Sequence, residues 1–230
     1  MSIRKLDKAK EILEKYLFEV NDPWDIVDGF EKLISNYCGS KYGIALDSCT
    51  NAIFLCLYFN RIQNQNIQIP SRTYLSVPQS ILRSGNKPVF ADLEWSGLYQ
   101  LGETNIYDCA GRLKENMYIP NSYMCFSFHL KKTLPIGKGG MILTDSKEAY
   151  KWMYLAVYEG RDRRKNHDLI DDLETLGWNM YMTPEQAAYG IELFESFLKK
   201  NDLKDVAYSQ KYKDLSDFDI FKKESKFELN

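Results

Sequence analysis

From residue 41 onward, short apolar runs alternate with helix-patterned segments, and few architectures accommodate that order. Strand patterns cover residues 41–46, 67–70, 88–91, 105–108, 123–128 and 140–144. Helix patterns cover 52–59, 75–82, 146–158 and 183–199. Two helices precede them. One, over residues 5–20, carries Leu6, Ile12, Leu13, Tyr16 and Leu17 at helical spacing, and the other runs from Phe30 through Tyr37 to a stop at Gly39. Alternating strands and helices predict an α/β fold with a mostly parallel central sheet and helices on both faces. In such sheets ligands bind beyond the carboxyl ends of the strands. The polar residues of interest below all fall at strand ends or helix starts, so the fold can bring them together.

The totals narrow the partners. The 230 residues suffice for one large domain with at most a small appendage. Thirty basic against 32 acidic side chains leave a net charge of −2, which gives no general pull toward nucleic acid. No apolar run is long enough to span a bilayer, and the N-terminus enters a charged amphipathic stretch, so a cytoplasmic protein is expected. Cys38, Cys49, Cys56, Cys109 and Cys125 are odd in number and contain no C-x-x-C pair. With only His129 and His167 as imidazoles, no metal site is expected.

The segment Ser127-Phe128-His129-Leu130-Lys131-Lys132-Thr133-Leu134-Pro135-Ile136-Gly137-Lys138-Gly139-Gly140 resembles the S-F-H-x-x-K…G-E-G-G stretch of the DegT/DnrJ/EryC1/StrS aminotransferases. Other pieces follow in that family's order. Phe30-Glu31…Tyr37-Cys38-Gly39 is similar to its F-E…Y-x-G helix, Ser48-Cys49-Thr50-Asn51-Ala52 to S-G-T-x-A, and Pro70-Ser71-Arg72-Thr73-Tyr74 to P-S-x-T-F. Lys87-Pro88-Val89-Phe90-Ala91-Asp92 resembles K-P-V-F-x-D, Asp108-Cys109-Ala110 resembles D-A-A, and Gly177-Trp178-Asn179-Met180-Tyr181-Met182 resembles G-x-N-x-R-M. Each motif is weak alone; their order across residues 30–197 carries the resemblance.

The resemblance implies a fold-type-I enzyme that uses pyridoxal 5'-phosphate (PLP) to aminate a keto-sugar, often nucleotide-linked, with an amino acid such as glutamate as donor. It implies a homodimer with shared active sites. Lys132 would hold the cofactor as a Schiff base, because a primary amine forms an exchangeable imine with an aldehyde. The register selects Lys132 over Lys131; two surface lysines are the alternative. Asp108 would pair with the pyridine nitrogen and keep it protonated; a turn or capping aspartate is the alternative. Cys49, in place of the family's glycine, and Thr50 open a helix whose free amides suit the phosphate, with the Ser127 hydroxyl beside them. Tyr74 would stack on the ring, Asn179 would reach the neighbouring subunit's phosphate, and His129 and Lys131 would lie near the cofactor or substrate.

The chain also departs from the family. Asp92 and Asp108 are too close for the strand–helix crossover that typical members carry between these motifs, so a lost strand or a direct linker is expected. The small C-terminal domain is expected to be absent or reduced to a helix and tail in residues 201–230, leaving 1–200 as the PLP-binding large domain. Gly111 stands where Gln or His often follows D-A-A, and Tyr181 replaces the arginine of N-x-R-M. These departures keep two other readings open. One is a PLP enzyme of dehydration or elimination type or with a smaller substrate. The other is a non-catalytic or regulatory PLP-binding relative.

Overall fold

The computed structural model describes residues 3–200 and 204–222. In chain order the elements are α1 (Ile3–Lys15), α2 (Pro23–Cys38), β1 (Tyr42–Leu46), α3 (Cys49–Phe59), β2 (Asn66–Pro70), α4 (Ser76–Arg83), β3 (Lys87–Ala91), β4 (Tyr99–Gln100), β5 (Ile106–Asp108), β6 (Tyr123–Ser127), β7 (Gly140–Thr144), α5 (Lys147–Ala156), α6 (Pro184–Phe197) and α7 (Asp219–Lys222). Every strand expected above is present to within a residue and every helix is present, although α1 stops at Lys15 rather than 20 and α2 starts at Pro23, well before Phe30. The exception is the C-terminal helix and tail, where 204–222 hold two single turns and α7, while 201–203 and 223–230 lie outside the described residues.

Local chemistry sets the ends. Asp22 caps α2 through a reciprocal bond pair with Asp25, with Pro23 at the first helical position. Gly39 closes it in the left-handed conformation, φ 86°. Thr183 and Gln186 form the same capping box on α6.

The main sheet has strand order β1-β7-β6-β5-β4, and β2 and β3 form a separate parallel pair joined through α4. Within the five-stranded sheet only β5–β6 is parallel; β1–β7, β6–β7 and β4–β5 are antiparallel. β1, β5 and β6 thus run the same way while β7 and the two-residue β4 run against them, so the mostly parallel sheet expected is met loosely. The connection from β6 to β7 contains no helix, and parallel neighbours need a crossover. The close spacing of Asp92 and Asp108 has the same effect: β4 is a two-residue strand that folds back on β5. The turn after it is tied to β2 by the Gly102 amide donating to the Gln68 carbonyl over 2.8 Å. β2–β3 thus stand apart from the main sheet, with this hydrogen-bonded turn across the gap.

Side chains alternate across the sheet into two cores. Ala45, Met124, Phe126, Met141 and Leu143 face α1, α2 and α6. Ile44, Leu46, Cys125 and Ile142 face α3, α4 and α5. Helices thus cover both faces. The carboxyl ends of β5 and β6 and the start of α3 meet at one end of the second core, and there a cavity opens.

Candidate active site

A cavity of about 470 Å³ lies where β1, β5 and β6 end and α3 begins. Cys49, Thr50, Tyr74, Asp108, Ser127, His129, Lys131 and Lys132 all line it. Asn179 does not: it sits outside, exposed, with its amide on Glu159 Oε1 at 3.0 Å.

Asp108 forms the floor. It is buried (5% exposed) at the end of β5 and accepts from the Ala110 amide (2.9 Å), the Tyr99 hydroxyl (3.0 Å) and, weakly, the Cys49 thiol (3.8 Å). Burial pushes its carboxyl above the ordinary value, while those donors and the Lys132 ammonium act against the shift. A desolvated carboxylate of this kind favours a cationic partner directly above it. Burial, reinforced by Asp108, likewise raises the Cys49 thiol, which acts as a small buried wall rather than a nucleophile.

Lys132 follows a tight turn in which its amide donates to the His129 carbonyl over 2.9 Å. Lys132 is half-buried, whereas Lys131 and His129 are exposed. The turn is fixed by Phe128 donating to the Gly139 carbonyl (2.9 Å) and by a bridge between His129 and Gly137. Gly140, which opens β7, passes so close to α3 that a Cβ there would lie 2.4 Å from the Ser48 carbonyl carbon. That approach holds the β6–β7 segment against the first turn of α3.

That first turn offers an anion cradle. Ser48 caps Asn51, and the preceding amides, of Cys49 and Thr50, have no intrahelical acceptor by helix geometry. The Thr50 and Ser76 hydroxyls lie 2.7 Å apart, and Ser127 faces the same space. At the rim, Lys138 pairs with Asp47 at 3.6 Å.

An amine, a buried carboxylate and a hydroxyl-lined helix start in one cavity match the aldehyde, ring nitrogen and phosphate of PLP. On this donor set the residues present fit that cofactor.

The sequence pattern of the DegT/DnrJ/EryC1/StrS aminotransferase family matches residues 6–100 and 120–226. This chain belongs to that family. The unmatched internal stretch is 101–119. The chain is 25% identical over 214 residues to the spore coat polysaccharide biosynthesis protein SpsC of Bacillus subtilis, covering 72% of this chain and 55% of that protein. It is also 25% identical over 209 residues to GDP-perosamine synthase of Caulobacter vibrioides, with the same coverage. It thus spans about half the length of both curated relatives. Solved structures share the fold. NtdA of Bacillus subtilis, with bound PMP, has a TM-score of 0.64 at 19% identity, over 86% of this chain and 54% of that one. A family member from Brucella abortus has a TM-score of 0.63 at 18% identity, over 84% and 64%.

Two groups of site residues escape sequence reasoning. Tyr99, on β4, and Thr73, whose hydroxyls lie 2.5 Å apart, support Asp108 from below. Thr73 stood inside a recognised motif, but Tyr99 belongs to a strand too short to leave a pattern. Trp95, Val206, Ala207, Lys211 and Tyr212 close the cavity on its outer side. Nothing in their local sequence marks them. Tyr181, at the position of the family motif's arginine, packs with Trp24 and Tyr158 in an aromatic cluster. Among the described residues no helix is long and apolar enough to cross a membrane, and no cluster of potential metal ligands occurs.

Proposed function

We propose that this protein is a PLP-dependent aminotransferase that moves an amino group from an amino acid, with glutamate as the expected donor, to a keto-sugar. The observation that carries the reading is the single cavity in which Lys132, buried Asp108 and the hydroxyl-lined start of α3 converge. PLP, when bound, supplies an electron-withdrawing ring that stabilises negative charge on the carbon losing or gaining the amine. Lys132 Nζ would be the amine that holds the cofactor and, when free, the base that moves a proton at the carbon losing or gaining the amine. Asp108 would keep a proton on the ring nitrogen, and its low-polarity setting would strengthen that pairing. Thr50, Ser127 and the Cys49 and Thr50 amides would hold the phosphate, and Tyr74 would flank the ring. His129 and Lys131, exposed at the mouth, are placed to meet substrate.

Sugar chemistry is supported by the relatives that this chain resembles, among them the GDP-perosamine synthase and a UDP-4-amino-4,6-dideoxy-N-acetyl-beta-L-altrosamine transaminase of Campylobacter jejuni. Asn179, exposed and outside its own cavity, suits a role at a second subunit's site, so a homodimer belongs to the reading. The test is a half-reaction. Protein loaded with PLP and given glutamate alone should release one 2-oxoglutarate per site. No keto acid from any of a panel of amino acids would favour the second reading, a non-catalytic PLP-binding relative. That reading draws support from Tyr181 in place of arginine.

A further inference from the structure

Residues 205–216 cross the outer side of the cavity. They run from the β4–β5 side, where Asp205 accepts two bonds from Arg112 (2.9 and 2.6 Å) and one from Ser96 (2.9 Å). The backbone then bonds both flanking loops: Gly97 donates to Ala207 (2.8 Å), Val206 to Gly111 (2.9 Å) and Ser209 to Trp95 (3.0 Å). Beyond the cavity, Leu215 donates to the Ser71 carbonyl (2.9 Å), and Asp214 accepts from the Ser71 hydroxyl (2.8 Å). Between these two anchorages the chain presents Tyr212, whose ring stacks on Trp95 (centroids 5.8 Å) and meets Tyr74 edge-on (6.5 Å). Burial, with the Asp108 charge next, pushes the Tyr212 hydroxyl up to about 12, so a neutral phenol lies within electrostatic reach of the cavity floor.

Two glycines make the crossing possible. A Cβ on Gly111 would lie 2.8 Å from Ala207 Cβ and 2.9 Å from the Gly97 carbonyl. One on Gly97, already at φ +75°, would lie 2.6 Å from the Asp205 carboxyl carbon. Gly111 is also the position where the family often carries Gln or His. The departure therefore has a physical reason: a larger side chain there occupies the path of the strap.

We infer that residues 205–216 form an intrachain strap that replaces part of the missing crossover as the outer wall of the site. Tyr212 is its contribution to the wall, a side chain that bounds the space between Asp108 and Tyr74 and excludes water from it. The inference rests on the PLP reading only for what occupies that space. The seating of the strap stands on its own contacts.

Both parts are tested on the full chain. Hydrogen exchange without cofactor should show the Val206 and Ser209 amides protected in the wild type and unprotected in Gly111→Val. Equal exchange in both proteins would overturn the seating. Equilibrium dialysis against PLP should then show binding weakened about tenfold in Tyr212→Ala, at least as much in Gly111→Val, and little changed in Tyr212→Phe, which keeps the ring. Unchanged or tighter binding in Tyr212→Ala, with a wild-type circular dichroism spectrum, would overturn the wall role. Wild-type protein that ignores PLP sinks the proposed function and with it the wall role toward that cofactor; the exchange data still decide whether the strap exists.

Discussion

The Tyr99 hydroxyl donates to Asp108 Oδ2 across 3.0 Å, from a two-residue strand that folds back on β5. Thr73 meets the same hydroxyl at 2.5 Å, so the floor carboxylate is supported through a buried chain of three side chains. A buried carboxylate needs its acceptor sites filled, and here a residue of the shortened segment fills one of them.

Tyr99→Phe removes that donor and leaves Asp108 and Thr73 each short of a partner. Stability should fall by about 1–2 kcal/mol. For a chain of this size that lowers Tm by about 2–8 °C, read by calorimetry. Tyr99 also lowers the Asp108 carboxyl against the effect of burial, so the variant keeps Asp108 protonated to a higher pH than the wild type does, and its loss of PLP binding should grow as pH falls. A variant identical to wild type in both measurements would show that the bond is dispensable.

Lys132→Ala should lose all cofactor trapped by borohydride, with peptide mapping as the measurement, whereas Lys131→Ala should retain it. Label found on Lys131 in the wild type would reverse the assignment made from register.

Glu31 sets a pH dependence remote from the cavity. It is buried beneath Arg163, accepts the Ala45 amide at 2.8 Å, and stands 3.6 Å from the Arg163 guanidinium, which Asp28 also engages. Burial pushes its carboxyl up to about 7, more than Arg163 pulls it down. A raised folded-state value means that the folded chain binds the proton more tightly than the unfolded one. The contribution is complete below the ordinary value of 4.5 and is lost as pH rises through about 7. Denaturant unfolding should show stability falling by on the order of 1–3 kcal/mol between pH 5 and 8, and Glu31→Gln should flatten that slope. A slope unchanged in the variant would assign the effect to another group.

Gly140→Ala places a Cβ against backbone that cannot step aside, 2.4 Å from the Ser48 carbonyl carbon. It should cost about 3 kcal/mol and weaken phosphate binding together with stability, because it pushes β7 away from the first turn of α3. Inorganic phosphate protection in a thermal melt measures both.

Much of this was legible in the sequence, for identifiable reasons. The strands are apolar on both faces, as at Ile44, Ala45 and Leu46, so buried strands announce themselves without alternation. Ser48, Thr183 and Gly39 mark helix ends by their own hydrogen-bonding and φ requirements. The glycines around Lys132 are needed for turns and a close approach, so the lysine segment kept a recognisable spelling. The reversal of β7 and β4 against the other strands was not legible, because strand direction depends on how a connection routes and not on the residues within the strand.

What the sequence determined by itself is therefore the layered α/β frame, the family, and the positions of Lys132, Asp108 and Thr50. All three depend on local signals: burial period, capping and turn chemistry. Only the tertiary structure decided what stands above and below them. Tyr99 reaches Asp108 because a shortened connection folds back on β5, and Tyr212 closes the cavity because residues 205–216 run over Gly97 and Gly111. Backbone hydrogen bonds place both, within a short turn-back for Tyr99 and between segments far apart in the chain for Tyr212, and such bonds are indifferent to side-chain identity, so they leave no pattern in the residues that make them.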